Sequence, residues 1–533
     1  MVVEEVAVSA SVRFLKVCAG WPVHPFLVAA FFVLSLFASV ETKLLPMHVM
    51  NALVGSQLLS LLILVGAWLL QQNRDKAAIT ATVTLFWCIL FRPFCTLFMP
   101  WMNFFDKHDW LVVLTYVVVL GGILVAIDRA ANHPKFALSY PSFTVCMNVL
   151  SLLLFCSVAA PLAINECNEK QTRSMMVAAF KGQFEKIKLD GTKARPDVYY
   201  IILDQFAADD SLKQFFHYSP DRFSAFLRKR DFYLPKKPMS NYDNTYQSLS
   251  SSLNMSYLDP IPRALGTGNE DLSINIALMQ DSAVVQLFRQ IGYKIVNVSA
   301  SDLEDSYWPD ADRNIGAEGP NEFDMQLVMM TPWSIVEHYV PVLHEAYARR
   351  RLTPFARTKE ILDVDGPKFV YIHEMMPHSP YLFDEKGKRL SPRFGLGRFN
   401  YSPEIYLGQL KFVENETMDL IAQIQDRSAQ KPIIILQSDH GPDFQFGVPN
   451  QSGMMQWYAN ERLRILNAYC FPGMEKTSLY ASISPVNSFR ALFHDYFKAG
   501  LPFLTDRAQI DRDFMSGKGY RLTDVTNNLH FAD

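Results

Sequence analysis

The distribution of apolar residues divides the chain into two unlike parts. Over the first third, apolar stretches run through about 21–40, 52–70, 77–99, 110–127 and 143–164. Each is close to the ~20 residues a helix needs to cross a bilayer core. Five in succession, joined by short polar loops, predict a transmembrane domain over 1–165. Basic residues sort by loop: Arg13 and Lys16 precede the first stretch, Arg74 and Lys76 follow the second, and Arg129 and Lys135 follow the fourth. The alternate loops hold little beyond Lys43 and Lys107. The positive-inside tendency then puts the N-terminus in the cytoplasm and everything beyond about 165 outside it. Arg92 falls inside the third stretch, where it either snorkels to the outer boundary or meets a lipid headgroup.

Residues 166–195 read as an amphipathic juxtamembrane connector. Met176, Phe180, Phe184 and Ile187 recur at helical spacing among lysines. That stripe suits a helix lying on the membrane or one packed on a soluble domain. The stretch 336–352 carries the same ambiguity. From 196 to 533 the pattern changes. Short apolar runs at 197–203, 294–299, 368–373, 432–436 and 463–469 alternate with helical patterns near 209–228, 246–257, 281–291 and 404–427. This alternation predicts an α/β domain, mainly parallel, with both faces of the sheet covered.

Composition narrows the partners. A formal net charge of −3 over 533 residues gives no polyanion-binding signature, so nucleic acid is not expected. Of the seven cysteines, Cys18, Cys88, Cys95, Cys146 and Cys156 lie in the apolar part and only Cys167 and Cys470 beyond it. No disulfide framework and no CxxC metal pair is implied. Asn297 and Asn415 begin N-x-S/T sequons.

Candidate chemistry gathers where ligands collect in such sheets, beyond the carboxyl ends of strands. The first run ends in Asp204, the third continues into His373 and His378, and "IIILQSDHG" ends in Asp439 and His440. Carboxylates and imidazole are ligands that Zn²⁺ or Mn²⁺ accepts. Thr245 stands where a polar loop enters a helix pattern, either as a cap or as a nucleophile near exposed N–H groups. A helix dipole supplies only ~0.3–1 kcal/mol. Metal coordination lowers the pKa of bound water by about 8–9 units, roughly 11–12 kcal/mol. A threonine nucleophile therefore needs a metal beside it.

This order of a strand ending in Asp, a threonine at a helix start, an HxP segment and a strand ending in SDHG resembles the alkaline phosphatase/sulfatase superfamily. Its membrane-anchored branch, with lipoteichoic acid synthases, phosphoethanolamine transferases and phosphoglycerol transferases, is similar in layout too. The resemblance implies Thr245 as the nucleophile and Asp204, Thr245, Asp439 and His440 as ligands of one divalent metal, Zn²⁺ or Mn²⁺. His378 would hold the phosphate or protonate a leaving group. From the residues alone, Asp443 and Arg464 are candidates to face the substrate, with a solvated strand position the equal alternative for Arg464. Glu374 and His378 could contribute to a second metal, but no third ligand is apparent. With no Cys/Ser-x-Pro-x-Arg motif, a formylglycine-type sulfatase is disfavoured.

The expected protein is a bacterial inner-membrane transferase with a periplasmic catalytic domain. It would move phosphoethanolamine or glycerol phosphate from a phospholipid donor, through a phospho-threonine, to a cell-surface glycan or lipid acceptor. A membrane-tethered hydrolase using the same site and a non-catalytic scaffold are the alternatives.

Overall fold

The computed structural model describes residues 20–39, 46–96, 109–131, 140–190, 195–269, 271–301, 306–390, 402–444, 454–474, 477–511 and 519–531. Arg13, Lys16, Cys18, Lys43, Lys107 and Lys135 lie outside them. The chain forms two compact units: one takes residues up to Asn168 together with Pro320–Glu345, and the other begins at Glu169. The sequence boundaries put 320–345 in the second unit; its packing puts it in the first.

Among the described residues, six helices occupy the apolar third: α1 (His24–Ser39), α2 (Pro46–Gln71), α3 (Arg74–Ile89), α4 (Phe91–Thr96), α5 (Asp109–Ala131) and α6 (Tyr140–Gly182). Each of the five predicted stretches falls mainly on helix where it is described. Three contain segments long and apolar enough to cross a membrane, at Val49–Gln71, Val113–Ala130 and Tyr140–Gly182. The other two differ in length. Helix α1 has 16 described residues, and the third stretch breaks at Leu90 after the 16 residues of α3. Pro93 accounts for the break, because its ring lacks the N–H that Ile89 O would receive. Arg92 sits beyond that break, exposed. Polar contacts stitch the helices: Asn148 Oδ1 on α6 accepts from the N–H groups of Val23 and His24 at 3.1 and 3.0 Å, and His24 Nδ1 lies 2.5 Å from Thr82 Oγ1 on α3.

The second unit is built on a six-stranded sheet: β1 (Val198–Leu203), β2 (Lys294–Ser299), β3 (Arg313–Gly316), β4 (Lys368–Glu374), β5 (Ile433–Gln437) and β6 (Asn467–Cys470), in the order β3-β2-β4-β1-β5-β6. All pairings are parallel except β5 with β6. Every residue of β1, β4 and β5 is buried, which explains the apolar runs Val198–Leu203, Phe369–Ile372 and Ile433–Leu436 at their centres. Two details differ from the sequence pattern. The run 463–469 becomes a strand only at Asn467 and pairs antiparallel at an edge, and β3, with one buried residue in four, lacks the apolar density that would mark it.

Helices cover the sheet, among them α7 (Thr245–Leu253), α11 (Pro403–Arg427), α12 (Met454–Arg462) and α13 (Pro485–Phe497); α8 (Glu322–Met329) and α9 (Trp333–Tyr339) belong to the first unit, and α10 (Val342–Arg351) runs from the first unit into the second. One core joins Val198, Tyr200 and Ile202 of β1 to Tyr246, Leu249 and Leu253 of α7 and Phe489 and Phe493 of α13. The apolar stripe of the connector is also accounted for. Met176 and Phe180 pack with Tyr242, Ile274 and Val486, and Phe184 enters the main core. Of the two seats open to that stripe, the domain surface is the one it takes. The Asn297 sequon lies on a fully buried side chain bonded to Ser306 O and Asn314 Oδ1, which leaves no room for a glycan.

One buried acid gives the fold a pH dependence. Glu414 of α11 accepts from the Tyr218 hydroxyl at 2.7 Å, and burial above all raises its pKa from 4.5 to about 7. The folded chain therefore keeps a proton that the unfolded chain releases between these values. Stability falls as pH rises through that window and stays lowered above it. Glu414→Gln retains the acceptor without the charge. It is expected to raise stability at pH 8 by about 1–3 kcal/mol and to change it little at pH 4. Melting curves of the detergent-solubilised protein at the two pH values check this.

Candidate metal and nucleophile site

Strand register brings the acidic residues together. In the parallel β1–β5 pair, Ile202 lies opposite Gln437. Continued two residues past this pair, that register sets Asp204 against Asp439. Asp204 stays tied to β4 through its N–H to Glu374 O at 2.9 Å. The chain crossing is pinned from below: Ser438 Oγ accepts from Phe206 N at 2.9 Å and donates to His440 O at 2.8 Å. One ligand atom each from Asp204, Asp439 and His440 lies within 4.8 Å of the others, and all three side chains are buried.

Hydrogen bonds decide which atoms remain available. Asp439 Oδ1 accepts from His440 N at 2.8 Å and Gln205 N at 3.2 Å, while Oδ2 has no hydrogen-bond partner among the described residues. Asp204 Oδ1 likewise has none; its Oδ2 lies 3.8 Å from His373 Nε2. His440 Nδ1 faces Gly441 O at 3.0 Å, which assigns the ring proton to Nδ1 and the lone pair to Nε2. That lone pair lies 3.2 Å from Asp439 Oδ2. Two acceptors facing each other in a buried site call for a cation between them.

The electrostatics agree. Burial and the neighbouring Asp439 push the Asp204 carboxyl well above the usual range. Burial would raise Asp439 too, but its charged and hydrogen-bonding surroundings, the His440 backbone N–H among them, hold it below its ordinary value. Burial and then the Arg462 guanidinium lower His440 to about 3, so its imidazole is neutral, the form that binds metals. Two buried oxygens without donors, one imidazole lone pair and a hydroxyl make a donor set that fits a divalent cation such as Zn²⁺ or Mn²⁺.

Thr245 opens α7, but it is not the cap. Asn244 fills that position and its side chain accepts from Tyr246 N at 3.0 Å. The half-buried threonine is left with Oγ1 3.0 Å from His440 Nε2. Gly441 has a steric reason: a Cβ there would stand 2.3 Å from Glu461 O, and its N–H donates to Arg462 O at 2.5 Å. Only glycine lets the strand exit pass so close to the end of α12.

The remaining candidates take different places. His378 follows β4 at the same sheet edge, with its N–H bonded to Asp204 O at 3.1 Å and Nδ1 turned to Ser379 O. His373 is fully buried on β4 beside Asp204. Glu374 Oε1 accepts from Met376 N at 3.0 Å, and no second cluster of metal-ligating side chains forms around it among the described residues. Arg464 bonds Asp210 Oδ2, Gln214 Oε1, Asn460 O and His530 O, and none of these bonds reaches Asp204, Thr245, Asp439 or His440. The arginine at the site is Arg462. Its Nη2 lies 3.2 Å from His440 Nε2, Nη1 donates to Gly441 O and Nε to Asp243 O, both at 2.8 Å. Sequence offered no way to choose between two arginines one residue apart in a segment that is neither all helix nor all strand.

No protein-family model matches the chain, and no curated protein matches it. Solved structures do. The C-terminal periplasmic domain of EcEptC from Escherichia coli aligns at 13% identity over 64% of this chain and 95% of that one, with a TM-score of 0.41. The integral membrane lipooligosaccharide phosphoethanolamine transferase A from Neisseria meningitidis aligns at 11% identity over 72% and 75%, TM-score 0.37. A phosphonate monoester hydrolase of Agrobacterium radiobacter aligns at 13% over 61% and 82%, TM-score 0.38.

Two predictions follow the geometry. Added Zn²⁺ or Mn²⁺ at a hundredfold excess over its dissociation constant is expected to stabilise the chelator-treated protein by about 2.7 kcal/mol, and to leave Asp439→Asn nearly unmoved. Thermal melts with and without metal check this. Gly441→Ala is expected to abolish the metal response, because the 438–441 exit must shift, while the rest of the fold persists by circular dichroism.

Proposed function

We propose that the protein is a metal-dependent membrane phosphotransferase. It moves a phospholipid headgroup, phosphoethanolamine or glycerol phosphate, onto Thr245 and then to a cell-surface glycan or lipid. The observation carrying this reading is the 3.0 Å approach of the half-buried Thr245 hydroxyl to His440 beside two buried, donor-free carboxylate oxygens. Asp204, Asp439, His440 and Thr245 would hold the cation. When bound, it would supply Lewis acidity toward a phosphoryl oxygen and a lowered pKa for the threonine hydroxyl.

The protein's own groups do the rest. Asn244 fixes the start of α7 and so the direction of Thr245 Oγ1. Arg462, anchored by two backbone carbonyls, presents a permanent positive charge next to the position a phosphoryl group would take. In the first step the Thr245 hydroxyl gives its proton to water, Oγ bonds to phosphorus and the bond from phosphorus to the diacylglycerol oxygen breaks, with protonated His378, at the same sheet edge, as the proposed donor to that oxygen. In the second step an acceptor hydroxyl gives its proton to His378 and bonds to phosphorus, the bond from phosphorus to Thr245 Oγ breaks, and Oγ takes a proton from water, which restores Thr245. Two half-reactions of this kind give ping-pong kinetics.

Multiple membrane helices suit a donor drawn from the bilayer. In this reading the protein sits in a bacterial inner membrane with its N-terminus in the cytoplasm and its α/β domain in the periplasm.

The test uses the reconstituted full chain, metal and phosphatidylethanolamine or phosphatidylglycerol labelled in the headgroup. Diacylglycerol release with acid-stable label on the Thr245 peptide is expected. Thr245→Ala should cut turnover by at least about a thousandfold without altering the fold. Full activity in that variant refutes the mechanism, and free labelled headgroup in the presence of acceptor makes the enzyme a hydrolase.

A further inference from the structure

The segment Pro320–Glu345 leaves the α/β sequence yet packs in the unit of the membrane helices. Within it α8 touches α1 and α2, and α9 packs on α8. Helix α9 is amphipathic the wrong way round for water. Trp333 and Val336, at positions i and i+3 of one helical face, are 52% and 42% exposed, and Val340 and Val342 just beyond the helix are 56% and 60% exposed. Ser334 and Glu337 of α9 are buried instead. Ser334 is buried and donates to Thr331 O, and Glu337 is 1% exposed.

Glu337 is fully employed there. Its carboxylate accepts from Leu343 N at 3.2 and 3.0 Å, from His344 N at 3.2 Å and from Trp333 Nε1 at 3.2 Å. It thereby holds the start of α10 and aims the indole at once. A helix that buries its carboxylate and exposes Trp333 and Val336, with Val340 and Val342 exposed just after it, suits an apolar outer medium. The surrounding sequence fits that medium: between Met325 and Leu343, Glu337 is the only Asp, Glu, Lys or Arg, in a chain that is 19% charged.

We propose that the outward face of α9 is seated in the bilayer at its boundary with water. The lipid is favoured over a protein partner by continuity. Helix α8 bridges α9 to α1 and α2, and α2 turns exposed Leu58, Leu62, Val65 and Leu69 outward along a span of membrane length. The apolar face of α9 extends that lipid-facing surface. A tryptophan whose indole N–H is satisfied by Glu337 while its ring projects outward suits the interfacial zone. Such a seat would tether an excursion from the α/β sequence to the bilayer, and it does not depend on the proposed reaction.

Tryptophan fluorescence of the full chain in phosphatidylcholine vesicles tests the proposal, with Trp333→Phe isolating the Trp333 component by difference. The expected component is quenched by lipids brominated near the headgroup end of their chains and protected from aqueous iodide. Both effects vanish from the difference spectrum in Trp333→Phe. Quenching by iodide without quenching by bromolipid would put the face in water. Protection from both would put it under protein, a second copy of this chain in the purified sample. Either result overturns the lipid seat.

Discussion

Two carboxylates forced side by side out of water set the terms for the α/β domain. The β1–β5 register carries Asp204 and Asp439 to the same sheet edge, and β4 holds Asp204 from the other side. Like charges a few ångströms apart in a buried site repel by several kcal/mol at any realistic effective dielectric constant. A proton on Asp204 relieves that repulsion only in part, because donor-free oxygens remain on both residues. A divalent cation relieves it fully. The burial that makes the pair costly without a cation makes it selective for one.

Other features around the site serve that geometry. Ser438 and Gly441 shape the exit of β5, one by bonding across to the β1 exit and the other by having no side chain. The tautomer of His440 follows from the carbonyl of Gly441, so a single backbone turn orients the imidazole and admits α12. That same approach brings Arg462 to the site. Asn244 takes over capping at α7 and frees Thr245 from that duty.

Much of this was legible in the sequence, for physical reasons. Central parallel strands buried on both faces must be continuously apolar, so β1, β4 and β5 announced themselves, and polar residues directly after them had to lie at the ligand-binding edge. Asp204, Asp439 and His440 were found that way. Arg462 was not, because its position depends on the contact between Gly441 and the end of α12, which no local pattern encodes. Arg464 drew attention through the apolar run 463–469, but that run is mostly a connection, and its arginine is spent on Asp210 and Gln214. The break at Leu90 was written in Pro93. The inverted polarity of α9 was hidden, since a helical stripe reads alike whether its apolar face turns inward or outward.

The most direct measurement is anomalous X-ray scattering from crystals of the full chain grown with Zn²⁺ or Mn²⁺. A peak in contact with Asp204, Asp439, His440 and the Thr245 hydroxyl is predicted. Metal bound only elsewhere, or Thr245 turned away from an occupied Asp439–His440 pair, would contradict the threonine as the group that the cation activates.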